Sequence, residues 1–393
     1  LDRLYACRKN EKLPISGTDA LVISQIAFYD DPARFAQMTN KLCDELEQRI
    51  KDGVSVVPEG TKRIMLTGTP LAIPNWKLHN IVETSGAVVV CEEMCTGTRY
   101  FERFVDESGT TIDEQIDAIA ERYMGINCAC FTPNHGRIDD ILRLAKEYKV
   151  DGIIDVNLKF CNLYDTEGYF VERAMKEAGI PVILSDRQMD VDESLYECWV
   201  GGNFIKEGET CGNWLADYLK AQGRDGEDIN IVTLQGTIGA SAQVGRTEGF
   251  GNILKQHDNW KMLDMQTGEF TQAKGQEVME SFLKSYDDID VVVAENDNMA
   301  FGAIDAIKAA GKTCGPDGDI IIFSFDAVKA AFDAMIAGDL NAAFECNPLH
   351  GPRVDEIIKK LEKGETVEKI QYVDEAYFDT SMDLESIKAE RAY

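Results

Sequence analysis

The chain has 393 residues, with 40 basic and 69 acidic side chains and a formal charge of −29. Binding a phosphate backbone needs clustered Lys and Arg, so nucleic acid is excluded as a partner, and the same repulsion disfavours an anionic membrane surface. No apolar run approaches the roughly 18 residues of a spanning helix, so no membrane insertion is expected, while 44% hydrophobic content supplies a sizeable core. The first residues, Leu1-Asp2-Arg3, open no basic and apolar leader. No signal peptide is expected, and the start reads as processed or as internal to a longer protein.

The charged, periodic stretch 32–53 predicts a helix, and Arg63–Thr67 a buried strand ended by Gly68-Thr69-Pro70. A helix over Trp76–Thr84 and a strand over Ala87–Cys91 follow. Then come helix 113–124 with strand Ile126–Phe131, helix 137–148 with strand Gly152–Asn157, and helix 168–178 with strand Ile180–Leu184. The second half repeats the alternation. Strands are expected at 229–234, 260–264, 289–294, 319–325, 341–345 and 370–377. Helices are expected at 205–221, 243–256, 271–284, 299–310, 327–337 and 351–362. Short apolar runs alternating with amphipathic helices indicate parallel sheets covered on both faces. The fold class is therefore α/β, with two parallel-sheet, Rossmann-like lobes, and the expected domains are 1–180 and 181–393. Charge separates the halves as well, at −8 for residues 1–180 and −21 for 181–393. The transition falls near Ala178-Gly179-Ile180-Pro181-Val182, inside one strand–helix unit and without a low-complexity linker.

Seven of the 11 cysteines precede residue 162, and the odd total argues against a complete disulfide set. A reducing, cytoplasmic compartment is expected for the chain as written. Cys91, Cys95, Cys128, Cys130 and Cys161 fall in or just after the ends of successive predicted strands. Ligands of open α/β sheets bind at that edge, and thiolates there suit an iron–sulfur cluster or zinc. Each cysteine alone could equally be a small buried apolar residue. The four histidines stand in no metal or triad spacing, and neither a P-loop nor a strand followed by GxGxxG is present.

Several stretches of the first half carry a family resemblance. They are Ile15-Ser16-Gly17-Thr18, Gly68-Thr69-Pro70 with Pro74-Asn75-Trp76-Lys77, Cys91-Glu92-Glu93-Met94-Cys95-Thr96-Gly97-Thr98-Arg99-Tyr100-Phe101, and Lys159-Phe160-Cys161. Residues 1 to about 180 thereby resemble the D-component family of 2-hydroxyacyl-CoA dehydratases, which includes double-cubane cluster proteins. The resemblance implies a [4Fe–4S] or double-cubane cluster held by cysteines and reduced by an ATP-dependent activator protein. By position Cys161 is the leading cluster ligand, with Cys91, Cys95, Cys128 and Cys130 as further candidates. Members carry a preceding domain with additional cluster cysteines, so an incomplete ligand set is expected here.

The second half carries Ala178–Gln188, Leu234-Gln235-Gly236-Thr237-Ile238-Gly239-Ala240-Ser241 with Arg246 and Gly249-Phe250, Glu295-Asn296-Asp297-Asn298-Met299-Ala300, Ser324-Phe325-Asp326, and Phe344-Glu345-Cys346-Asn347-Pro348. From about residue 178 it resembles the type I solute-binding proteins of sugar ABC transporters, in the ribose- and galactofuranose-binding branch. The resemblance implies binding of a pentose, hexose or furanose and delivery to an ABC transporter permease outside the cytoplasm. Asp186, Arg187, Arg246, Asn296, Asp326 and Glu345 would bond sugar hydroxyls, while Phe270 and Phe325 would cover C–H faces. The bland readings are a surface ion pair for Asp186 and Arg187, a helix cap for Asn296 and a core position for Phe325. The opening strands of the first lobe of such proteins are missing, and the dehydratase-like unit stands in their place. Three functional expectations follow: a sugar-binding protein, an iron–sulfur dehydratase or reductase subunit with no catalytic residue assigned, or a fusion with neither activity.

Overall fold

The computed structural model describes residues 1–131, 133–158, 161–188 and 191–393. The chain divides into two compact units, Leu1–Ala178 and Gly179–Tyr393. Gly179, at φ +74°, follows the helix Asn162–Glu177 and its cap residue Ala178. A left-handed glycine is the usual way to end a helix, so the boundary coincides with a helix stop.

The first unit begins with three helices, Asp2–Cys7, Gly17–Ile26 and Pro32–Lys51. The third starts where Asp31 accepts a hydrogen bond from the Arg34 amide at 2.9 Å and Pro32 fills the first turn. A parallel sheet of three strands follows, β1 (Lys62–Gly68), β2 (Ala87–Glu93) and β3 (Gly152–Val156), in the order β2-β1-β3. Val88 to Cys91 are all buried, as a strand covered on both faces requires. The helix Ile112–Met124 opens with a reciprocal cap between Thr111 and Glu114. The expected strand Ile126–Phe131 does not form. Its backbone closes on itself, with Cys128 N bonded to Ile126 O at 2.8 Å and Phe131 N to Cys128 O at 2.9 Å. Cys128 and Cys130 therefore sit on a turn, not at a strand end.

In the second unit, β4 (Ile183–Ser185) and β5 (Cys198–Gly201) lead into six further strands and their helices. These are β6 (Ile229–Gln235), β7 (Trp260–Thr267), β8 (Val291–Ala294), β9 (Ile321–Asp326), β10 (Ala342–Glu345) and β11 (Ile370–Tyr372), closed by β12 (Tyr377–Asp379). The larger sheet runs β12-β10-β9-β8-β6-β7, parallel except for the antiparallel edge strand β12. The smaller sheet runs β11-β5-β4, all parallel. Alternate residues of the central strands enter two separate cores. Val232, Leu234, Val292 and Ala294 join one, and Ile231, Val291 and Val293 join the other. Both faces are therefore covered by helices, as the continuous apolar runs predict. The expected strand 370–377 is two strands, β11 and β12, in different sheets. The intervening residues 373–376 carry the chain from one sheet to the other.

Candidate functional site

The centre of the second unit is Arg246, on the helix Ser241–Leu254 and 2% exposed. Its guanidinium donates to Glu207 Oε2 at 2.7 Å, to the Glu295 carbonyl at 2.5 Å and to Asp326 Oδ1 at 3.3 Å. It also lies over the Phe325 ring, 4.8 Å from the centroid. Asp326 ends β9 at φ +97°, which leaves its side chain about a third exposed beside a buried cation. Asn296 caps the helix Asp297–Ala309 by accepting from the Met299 amide at 2.9 Å, and it donates to the Phe270 carbonyl at 3.2 Å. The cap reading of Asn296 is thus what its side chain does, beside its place in the site.

Phe270, 5% exposed and at φ +58°, packs its ring over Gly236. A Cβ there would come within 1.9 Å of the ring, so only glycine permits the approach. Arg187 stands 5.7 Å from the centroids of both Phe270 and Phe204. Among the described residues six non-glycines have clearly left-handed backbones, and five are Asp186, Glu269, Phe270, Asp326 and Ala327. Such conformations cost of order 1–3 kcal/mol each and concentrate where function fixes geometry.

The structure gathers Arg187, Arg246, Phe270, Asn296 and Asp326 and treats the remaining three differently. Asp186 and Arg187 form an open 3.8 Å pair with both side chains about half exposed. Phe325 is fully buried against Phe344, so the expected stacking face is a core ring beneath Arg246. Glu345 uses both oxygens elsewhere. Oε1 accepts from Arg391 and Tyr393, and Oε2 accepts from the Ala376 amide. Glu207, Glu295 and Asp297 had not been singled out as site residues. Burial pushes Glu295 up to about 7. It pushes Asp297 up to about 8, aided by the Asp326 charge. Glu295 still accepts from Thr247 and from the Gly236 amide, and Asp297 from Ser324 and the Val328 amide. The signal for two of them was their adjacency to Asn296.

In the first unit, β2 turns Glu92 and Glu93 to opposite faces, and each holds arginine. Glu92, fully buried, accepts from Arg8 at 2.7 and 2.8 Å, from the Tyr5 hydroxyl at 2.6 Å, and pairs with His79 at 2.9 Å. Burial opposes its ionisation, but Arg8 and His79 hold it well below the usual carboxylate range. Glu93 accepts from Arg99 at 2.7 Å through both oxygens, from Thr67 at 2.6 Å and from Arg137 at 3.2 Å. Arg99 also reaches Cys95 Sγ at 3.7 Å and the Tyr164 hydroxyl.

Cys128 pushes the exposed Cys130 thiol up, and Cys95 and Cys161 add to the effect, so these three thiols lie within electrostatic reach of Cys130. Cys161 precedes the first turn of the helix Asn162–Glu177. Lys159 and Phe160, which precede it in the quoted stretch, lie outside the described residues. Cys91 is placed differently. It is fully buried within β2, where burial and then Glu92 push its thiol well up. Cys91 is thus sealed inside the strand, while Cys95, Cys128 and Cys161 are half-buried and Cys130 is exposed, and thiols are the donors that an iron–sulfur cluster uses.

Residues 1–201 match the family described as 2-hydroxyglutaryl-CoA dehydratase, D-component, and residues 168–350 match the periplasmic binding protein domain. The chain belongs to both families. Over 205 residues it is 42% identical to the galactofuranose-binding protein YtfQ of Escherichia coli (strain K12), covering 51% of this chain and 62% of that protein. Over 171 residues it is 31% identical to the putative dehydratase subunit YjiM of the same organism, covering 43% of each. A crystal structure of a Mycobacterium smegmatis protein in complex with beta-D-fucofuranose is 30% identical. It aligns with a TM-score of 0.58 over 84% of this chain and 95% of its own. That alignment is longer than the second unit alone supplies, so it takes in part of the first. The chain spans less than two thirds of the length of both curated relatives. The two family matches share residues 168–201, which hold most of the helix Asn162–Glu177 together with β4 and β5. This is the strand–helix unit at which the sequence placed the join.

Proposed function

We propose that the second unit binds a sugar, of pentose, hexose or furanose form, as the solute-binding component of an ABC transporter does. The observation that supports it is Arg246. Its planar fork is fixed in advance by Glu207 and the Glu295 carbonyl, and Asp326, Asn296 and the Phe270–Arg187 pair surround it. Prearranged charged donors and acceptors bond hydroxyls strongly and pay little ordering entropy on binding. Arg187, Arg246, Asn296 and Asp326 are the hydroxyl contacts, and Phe270 is the apolar contact. The partner would be a transporter permease. The test is a melting scan with arabinofuranose-, galactofuranose-, ribose- and fructose-type sugars. A ligand at about 100 times its Kd stabilises by about 2.7 kcal/mol, a shift that calorimetry resolves. A panel that leaves the second-unit transition unmoved refutes the proposal.

The four-thiol group favours a second reading for the first unit. Cys95, Cys128, Cys130 and Cys161 would hold an iron–sulfur cluster, with Arg99 and Glu93 setting the charge beside Cys95. The cluster would supply low-potential electron transfer to an acyl-CoA or related substrate, after reduction by an ATP-dependent activator. Anaerobic reconstitution should then load iron and acid-labile sulfide onto the chain, and a chain that takes up neither refutes this reading. Among the described residues no cysteine is paired, and no helix is long and apolar enough to cross a membrane. Unpaired thiols suit a reducing compartment, so the iron–sulfur reading goes with the cytoplasm, whereas the transporter reading goes with the periplasmic setting of the sugar-binding family.

A further inference from the structure

Behind Arg246, the segments that join the two sheets of the second unit meet at three side chains. Glu207 follows β5, Cys346 follows β10, and Glu375 lies between β11 and β12. One ligand atom of each lies within 4.8 Å of the other two. Glu375 accepts from the Asn203 amide and from the Asn347 amide, each at 3.2 Å, so all three segments are tied to it. Glu207 is 4% exposed and spends Oε2 on Arg246. Its Oε1 is buried and receives no hydrogen bond from an N–H or alcohol donor among the described residues. A Cβ built on Gly202 would stand 2.9 Å from that oxygen and 2.4 Å from Glu375 Oε1, so the oxygen faces the second carboxyl, which lies within hydrogen-bonding reach of Glu207.

Glu207 is buried and Cys346 and Glu375 are half-buried, so two carboxylates and a thiolate this close together call for a compensating cation, and Arg246 pairs with Glu207 alone. We propose that Glu207, Cys346 and Glu375 form a binding site for one divalent cation of the zinc class. One thiolate with two carboxylates is a borderline-soft donor set, which suits zinc and cadmium better than magnesium or calcium. A cavity of about 210 Å³, lined by Lys206, Glu207, Glu345, Tyr372 and Glu375, gives the ion a way in. Metal ligands bind deprotonated, so the affinity rises with pH. Bound there, it would cross-link the three connecting segments. The site does not depend on the sugar reading.

The test uses the full chain with Cd2+ as the probe. The first-unit thiols also bind cadmium, so the background carries Cys95, Cys128, Cys130 and Cys161 changed to Ala. If that background fails to fold, wild type and Cys346→Ser are titrated side by side and the difference is read. One cadmium per chain is expected, with a thiolate-to-cadmium charge-transfer band that Cys346→Ser abolishes. Glu207→Gln and Glu375→Gln should each weaken binding about 10-fold or more. An unchanged band in Cys346→Ser overturns the site. So does the absence of uptake, which would leave a proton shared between the two carboxyls in the ion's place.

Discussion

Replacing Arg246 by methionine keeps most of the side-chain volume and deletes the charge. Glu207, 4% exposed, loses its 2.7 Å partner, and the Glu295 carbonyl loses its 2.5 Å donor. Breaking a buried pair in this way costs about 3–5 kcal/mol, and an unpaired buried acceptor adds about 1–3 kcal/mol. Proton uptake by Glu207, whose acidity burial already weakens, limits the first figure. A net loss of about 4 kcal/mol for the second unit follows, and at a urea dependence of about 2–3 kcal/mol per molar the midpoint falls by roughly 1–2 M. Adding Glu207→Gln removes the stranded charge and should restore at least half of the loss. Sugar binding should stay absent in both variants, because the ligand contact is gone whether or not the fold recovers. The assay is urea unfolding by tryptophan fluorescence, since Trp199, Trp214 and Trp260 lie in the second unit, paired with calorimetric sugar titration. A loss below about 1 kcal/mol, the worth of an exposed ion pair, would refute the buried-network reasoning. Retained binding in Arg246→Met would refute the contact.

The two units should respond oppositely to pH. Burial raises Glu295 to about 7 and Asp297 and Glu375 to about 8, from ordinary values of 4.5, 3.8 and 4.5. The folded second unit therefore holds these protons longer than the unfolded chain. Their contribution is full below pH about 4 and is lost as pH rises toward about 8, so its melting temperature should fall across that window and Glu375→Gln should flatten the slope. Glu92 has a lowered value, so its contribution is present above pH about 4.5 and is lost on acidification. An acid-induced rise in the first-unit transition would contradict this. Cys91→Ser should leave iron loading unchanged while costing about 1–3 kcal/mol for a hydroxyl in a dry core, whereas Cys95→Ser and Cys161→Ser should reduce loading. Iron analysis with thermal melting separates the two cases. Gly236→Ala should push the Phe270 ring aside and weaken sugar binding about 10-fold, corresponding to 1.4 kcal/mol, and titration at unchanged secondary structure reads it directly.

Local pattern carried most of the architecture. Val88–Cys91 and Val291–Ala294 are continuous, β-branched-rich apolar runs, as strands covered on both sides are. Asp31-Pro32 and Thr111–Glu114 announce helix starts by their own chemistry. These signals act within a few residues, so the alternation of strands and helices, the join near Gly179 and both family memberships could be read from the chain. Where the pattern misled, the deciding contacts were long-range or depended on turn geometry. Apolar Ile126–Phe131 turned on itself, and 370–377 was divided between two sheets because residues 373–376 connect them. Cys91 and Cys95 are four residues apart, yet one is sealed inside β2 and the other reaches Arg99. Phe325 and Asp326 are adjacent, yet strand alternation buries the ring and leaves the carboxylate partly open. Sequence fixed which residue types were available. Only tertiary packing could gather Glu207, Cys346 and Glu375 from segments far apart in the chain and set a buried carboxyl against a second one, because burial and charge compensation are properties of surroundings rather than of neighbours in sequence.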